Sequence, residues 1–231
     1  MRMNVKRLLL IFSIVAASLI TGPAAMADPE WKLRQSEDGI SVYTRKVDGS
    51  SVKAFKGTVE LNGQLANALA LLNDQDACEK WVHGCVSSEL VKQLSFEEGF
   101  LYQVNKPPAI RSRDYIFHVI VDITGSLDRA EIRLTSRSDY LPETSHVRIK
   151  RATGTYTIET ISPGKIRLTW EQHLEPGGFV PGFIINAMLL DIPHRSLRNF
   201  RELLKHDKYQ QMEFVFSEQG EVIGIGAPHA L

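Results

Sequence analysis

The chain has 231 residues, with 27 basic and 27 acidic side chains, and 43% of its residues are hydrophobic. That length and apolar content are enough for one domain with a substantial core. The balanced charge gives no electrostatic footprint for nucleic acid, so nucleic acid is excluded as an expected partner.

The chain opens on a basic cluster, Arg2, Lys6 and Arg7, followed by an apolar run from Leu8 to Ile20 with only Ser13 and Ser18 as polar interruptions. Pro23 ends the run, and Ala25-Met26-Ala27 places small residues where a signal peptidase reads. The run is shorter than the ~20 residues that span a bilayer. Residues 1–27 are therefore expected to be a secretory signal, with export to the periplasm. No Cys follows the cleavage site, so no lipid anchor is expected. Removing this segment takes away three basic and no acidic residues and leaves a mildly acidic domain of 204 residues.

From Trp31 to Thr44 the signal Glu37-Asp38-Gly39 predicts a turn, followed by a strand carrying Ile40 and Val42. Val52 to Leu61 reads as a second strand, stopped by Asn62-Gly63. Gln64 to Leu72 predicts a helix, with Leu65, Ala68, Leu69 and Leu72 on one stripe. Asp74 is placed to cap a second short helix that ends near Trp81. Cys78 and Cys85 either pair or remain two buried thiols, and an oxidising compartment favours the pair. His83 lies between them, but the spacing matches no metal-ligand set.

After Gly84 the pattern changes to period two. Strands are predicted at Val86 to Leu94, Phe100 to Asn105, Arg113 to Thr124, Arg129 to Arg137, His146 to Arg151, Thr155 to Ile161 and Lys165 to Leu174. Turns at Thr124-Gly125-Ser126 and Ser162-Pro163-Gly164 separate four of them. Ala130, Ile132 and Leu134 alternate with Arg129, Glu131 and Arg133; Ile166, Leu168 and Trp170 alternate with Lys165, Arg167 and Glu171. A sheet with one wet face is antiparallel, which gives an α+β domain.

Glu175-Pro176-Gly177-Gly178-Phe179-Val180-Pro181-Gly182 then leads into a segment whose apolar residues Phe183, Ala187, Leu190, Leu197, Phe200 and Leu204 recur at mostly helical spacing. Pro193 is expected to bend or break this helix near Leu189. A helix laid across a concave sheet leaves either a packed core or an apolar cavity between the two. Residues 207–231 read equally as a hairpin, Met212–Phe216 with Glu221–Ile225, or as a frayed tail.

Several segments together resemble the START domains, the lipid-transfer domains related to the steroidogenic acute regulatory protein. They are Asp38-Gly39-Ile40-Ser41-Val42-Tyr43, Lys53-Ala54-Phe55-Lys56-Gly57, Trp81, Arg113-Asp114-Tyr115, and the run from Glu175 to Pro181 with Asn186. The resemblance spans about Trp31 to Lys205. It implies a helix-grip fold, a strongly curved antiparallel sheet clasping a long C-terminal helix, and one lipid or other hydrophobic small molecule held between them without covalent chemistry. Sterol-binding members often bury an Arg several residues after the Arg-Asp motif. Here the strand runs Ile116-Phe117-His118-Val119-Ile120-Val121, so a sterol is the less favoured ligand.

Candidate ligand-binding residues are Arg113, Asp114, His118, Tyr156, Trp170, Phe179, Phe183 and Met188. Arg113 and Asp114 are adjacent on a strand and point to opposite faces, so at most one holds a ligand head group while the other ties strands together. His118 shares the face of Asp114, and on this strand it is a ligand contact or a satisfied core residue. Tyr156 and Trp170 are expected to face the interior. The apolar cluster of Phe179, Val180, Phe183, Ile184, Met188 and Leu189 is expected to line or gate the cavity, and its tips to make transient membrane contact. No Ser-His-Asp order, nucleophile elbow, phosphate loop or zinc signature is present, which argues against a hydrolase other than one built from dispersed residues, and no cofactor is expected. Two rival readings stand beside lipid binding. One is a cyclase- or aromatase-like enzyme using Asp114, Tyr115 or His118 in the cavity. The other is an envelope protein that docks partners through residues 207–231.

Overall fold

The computed structural model describes residues 30–108, 110–123 and 127–228. The expected leader and the expected turn Thr124-Gly125-Ser126 lie outside those residues. In chain order the elements are β1 (Lys32–Glu37), β2 (Ile40–Arg45), β3 (Ala54–Asn62), α1 (Leu65–Asn73), α2 (Cys78–Trp81), β4 (Cys85–Gln93), β5 (Glu98–Asn105), β6 (Arg113–Ile123), β7 (Arg129–Ser136), β8 (Val147–Arg148), β9 (Ala152–Ser162), β10 (Lys165–Leu174), α3 (Gly182–Met188), α4 (Asp191–Leu204), α5 (Asp207–Gln210), β11 (Glu213–Phe216) and β12 (Val222–Gly226). The large sheet runs in the order β1-β2-β3-β10-β9-β7-β6-β5-β4 with every one of these neighbours antiparallel, and β8 lies beside β6.

The expected strand His146–Arg151 shrinks to the two residues of β8, which pair in parallel with Arg113 and Asp114. Its neighbours are drawn elsewhere: the Ser136 hydroxyl donates to the Lys150 carbonyl and accepts the Ala152 N–H. Asp74 does not cap the short helix with its side chain. Its carboxylate instead accepts from the Tyr209 hydroxyl at 2.7 Å and from the Lys208 ammonium. The C-terminal segment is therefore tied to the first helices. Asn67 adds to this by donating to the carbonyls of Gln210 and Met212. Beyond it β11 and β12 form the hairpin, and Phe214 and Ile225 rest on the main core.

The final helix is two helices. Pro193 occupies the third position of α4, where an N–H has no intrahelical acceptor, so its missing donor costs nothing there. Its ring would collide with the Leu189 carbonyl if α3 ran straight on, and the chain breaks at Leu189–Leu190. α4 packs Leu197, Phe200 and Leu204 against Ile40, Val42, Val59, Leu61, Ile166 and Leu168, and all of these are buried. Close approach is possible because β3 has Gly57 under the helix. A Cβ there would sit 2.7 Å from Leu197 Cδ1.

Cys78 and Cys85 form a disulfide that joins α2 to the start of β4. The loop is short, so the chain-entropy estimate of its contribution is about 2.5 kcal/mol. Replacing both cysteines with Ser is expected to lower the unfolding free energy by about 2 kcal/mol in urea titrations. Full retention of stability would show that α2 is held by packing alone.

Candidate ligand cavity and its gate

The sheet's inner face and the helices leave two adjoining apolar chambers. The gate chamber, about 90 Å³, lies under α3 and is bordered by Phe55, Ile110, Arg113, Tyr115, Trp170 and Met188 among others. The distal chamber, about 130 Å³, lies under α1 and α2 towards the β4–β5 turn. Val82, Gln103, Leu134 and Tyr156 border both. Sites that engulf a drug-sized molecule typically measure about 300–1,000 Å³. A whole lipid therefore needs the chambers to join and widen around Tyr156.

β6 supplies one wall by alternation. Arg113, Tyr115 and Phe117 face the gate chamber, and Val119 and Val121 face the distal one. Trp170 and Tyr156 face each other across β10 and β9, with rings stacked 5.4 Å apart, and Phe55 meets Trp170 edge-on at 4.8 Å. Trp81 lies against Tyr156, Trp170 and Phe200, so α2 and α4 support the same aromatic wall. Burial pushes the Tyr115 phenol up to about 12 against the opposing charge of Arg113, and it pushes the Tyr156 phenol well above its ordinary value. Both are neutral at physiological pH and act as apolar rings with a polar tip.

The predicted site residues divide in two. Arg113, Tyr156, Trp170 and Met188 line the gate chamber. Asp114 and His118 do not border either chamber, since they point to the outer face. Asp114 is fully buried there, its Oδ2 accepting from Arg148 at 2.9 Å, Thr144 at 2.9 Å and Tyr102 at 3.3 Å. Arg148 also donates to the carbonyls of Ser138, Leu141 and Pro142, which pins the segment after β7 over the sheet. His118 bonds Glu98 at 2.7 Å and stacks on Phe100, which stacks on Tyr140. The acid–base set Asp114, Tyr115 and His118 is thus not brought together.

Phe179 and Phe183 do not line either chamber, and their exposure matches the apolar tips expected of this cluster. They stand outside the chambers, 100% and 73% exposed, on the turn before α3 and on its first visible turn. Period alone could not separate the two sides of α3. Ile185 and Leu189 are the residues that turn inward, joining Val52, Phe55 and Trp170 in a small cluster apart from the main core.

α3 is fastened to the segment between β2 and β3 by one side chain. The Asn186 Oδ1 accepts the Lys53 N–H at 2.9 Å, and its Nδ2 donates to the Ser51 carbonyl at 3.0 Å. The turn before it relies on Gly177 and Gly178, both left-handed at φ +63 and +62. A Cβ on Gly177 would lie 3.1 Å from the Arg148 carbonyl. Arg113 holds the base of this turn by donating from Nε to the Pro176 carbonyl at 3.0 Å. α3 is thus held by an amide and a small satellite cluster that are separate from the core packing of α4.

A family model described as the START domain matches residues 17–208. An uncharacterized protein of Pseudomonas aeruginosa is 30% identical over 190 residues, covering 81% of this chain and 93% of that protein. A crystallised fragment of the STAR-related lipid transfer protein from Xanthomonas axonopodis is 30% identical, with a TM-score of 0.71 over 76% of this chain and 99% of that one. Human StAR-related lipid transfer protein 5, at 18% identity and a TM-score of 0.66, covers 76% and 86% of the two chains and shares the fold.

Proposed function

The chain belongs to the START domain family, and on that premise we propose that it is an exported carrier that holds one hydrophobic ligand between the sheet and α3–α4. The observation that carries this reading is the pair of apolar chambers, the nearer of them covered by a separately fastened helix. Affinity would come mainly from apolar burial at about 25 cal/mol per Å². The ligand would load as α3 lifts from Ser51 and Lys53. Phe179 and Phe183, exposed beside that opening, would seat it on a membrane surface. The Cys78–Cys85 bond supports delivery to an oxidising compartment such as the periplasm. Nothing in the reading requires covalent chemistry.

The test is native mass spectrometry and solvent extraction of the chain from Asp28 onward, followed by transfer of a fluorescent lipid between vesicles. A bound apolar molecule of defined mass and measurable transfer are expected. Phe179→Ser with Phe183→Ser should slow transfer several-fold while leaving the bound molecule in place. Absence of both an extractable ligand and lipid uptake would overturn the reading.

A further inference from the structure

The gate chamber holds a buried cation with no counter-charge. Arg113 is 3% exposed and borders the chamber, and among the described residues no carboxylate pairs with it. Two of its three nitrogens are used, Nε on the Pro176 carbonyl and Nη1 on the Arg111 carbonyl. Nη2 has no hydrogen bond among the described residues. Burial disfavours the protonated form of Arg113, Tyr115 partly offsets that, and the nearby cation Arg111 adds to it. Arg nevertheless stays charged in proteins. A second donor on the same chamber, the buried Trp170 Nε1, also lacks an acceptor. The chamber lining includes His83, Gln103, Asn105 and Gln172 but no Asp or Glu. The distal chamber is the opposite, bordered by Asp74, Glu97 and Glu98.

An unpaired buried guanidinium is costly unless something anionic completes it. We propose that Arg113 is the recognition group for an anionic head, carboxylate or phosphate, on a single-chain amphiphile. The head sits under α3 in the gate chamber, and the chain passes Tyr156 into the distal chamber. Of the acidic residues at the far end, Asp74 and Glu98 are already paired, with Lys208 and His118, and the exposed Glu97 is the one left to disfavour the reversed orientation. The chambers have to widen least for a ligand with one chain. This rests on the carrier reading and adds the charge class of the ligand to it.

Dodecanoate, dodecyl phosphate, 1-dodecanol and inorganic phosphate separate the possibilities in calorimetry on the ligand-stripped chain from Asp28 onward. Both anionic amphiphiles are expected to bind roughly 10- to 100-fold more tightly than dodecanol, as for a charge-assisted hydrogen bond made in a buried site. The preferred anion identifies the head as a fatty carboxylate or a phosphate ester. Inorganic phosphate alone should bind far more weakly than either, and tight binding of it would overturn the amphiphile. Arg113→Gln should remove the preference for the anions and leave dodecanol binding, whereas Arg113→Lys should keep part of it. Loosening of the Pro176 turn would change all three chain-bearing ligands equally, so it cannot mimic this result. Equal binding of dodecanoate, dodecyl phosphate and dodecanol to the unmutated chain would sink the inference and leave the carrier reading intact. Binding of none of them would count against both.

Discussion

Asp114→Ala is expected to lower the unfolding free energy by about 3–5 kcal/mol, the cost of leaving a buried charge without its partner. The variant strips Arg148, 4% exposed at its side chain, of its carboxylate, and it frees the segment from Ser138 to Thr144 that the pair holds over the outer face. Asp114→Ala combined with Arg148→Met should cost far less than the sum of the single changes, because both ions leave together and Oδ1 of Asp114 makes no hydrogen bond among the described residues. The pair also makes a pH statement. Burial by itself raises the Asp114 carboxyl, but the hydrogen bonds from Arg148 and Thr144 and the charge of Arg148 outweigh it, so it titrates below its ordinary value. A carboxyl lowered by folding adds stability that is present above the unfolded value of about 3.9. That stability is lost as pH falls through the still lower folded value. Urea titrations from pH 7 down to pH 3 should therefore show a steeper loss below pH 4 in the unmutated chain than in the double variant. A single variant within about 1 kcal/mol of the parent would mean that the outer network is not a stabilising element.

Asn186→Ala should raise the rate of lipid release about 30-fold while lowering the unfolding free energy by no more than about 2 kcal/mol. It removes two hydrogen bonds that exist only when α3 is closed, each contributing about 1 kcal/mol, and 1.4 kcal/mol is a factor of ten. The remaining fastening is the contact of Ile185 and Leu189 with Val52, Phe55 and Trp170. Release of a fluorescent lipid to acceptor vesicles in stopped flow measures the effect, and chemical denaturation measures the stability alongside it. An unchanged release rate would place the gate elsewhere. A parallel collapse of stability would show that α3 belongs to the main cooperative unit.

Most of the sheet was legible in the sequence because strict alternation on β7 and β10 reports one wet face directly. The break at Leu189 was legible because Pro193 enforces it through its own ring, whatever packs around it. The cavity side of β6 was not. Both of its faces are covered, since Asp114, Ile116 and His118 lie on the side of the segment between β7 and β8 while Tyr115, Phe117 and Val119 face the chambers. Alternation says which residues share a face but not which face is inside, so Asp114 and His118 were expected at the ligand and stand away from it. For Asp74, local rules favoured a helix cap, but Tyr209 and Lys208, far along the chain, supply better donors.

The chain's own order of residues determined the strand phases, the turn glycines, the broken helix and the family, because each depends on neighbours within a few positions. Only the tertiary structure decided that Phe179 and Phe183 point outward, that Tyr156 stands between two chambers, and that Arg113 lies buried without an acid among the described residues. Those facts depend on which surfaces meet across β6, β9, β10 and α3, and contacts between distant segments leave no periodic trace in any one of them.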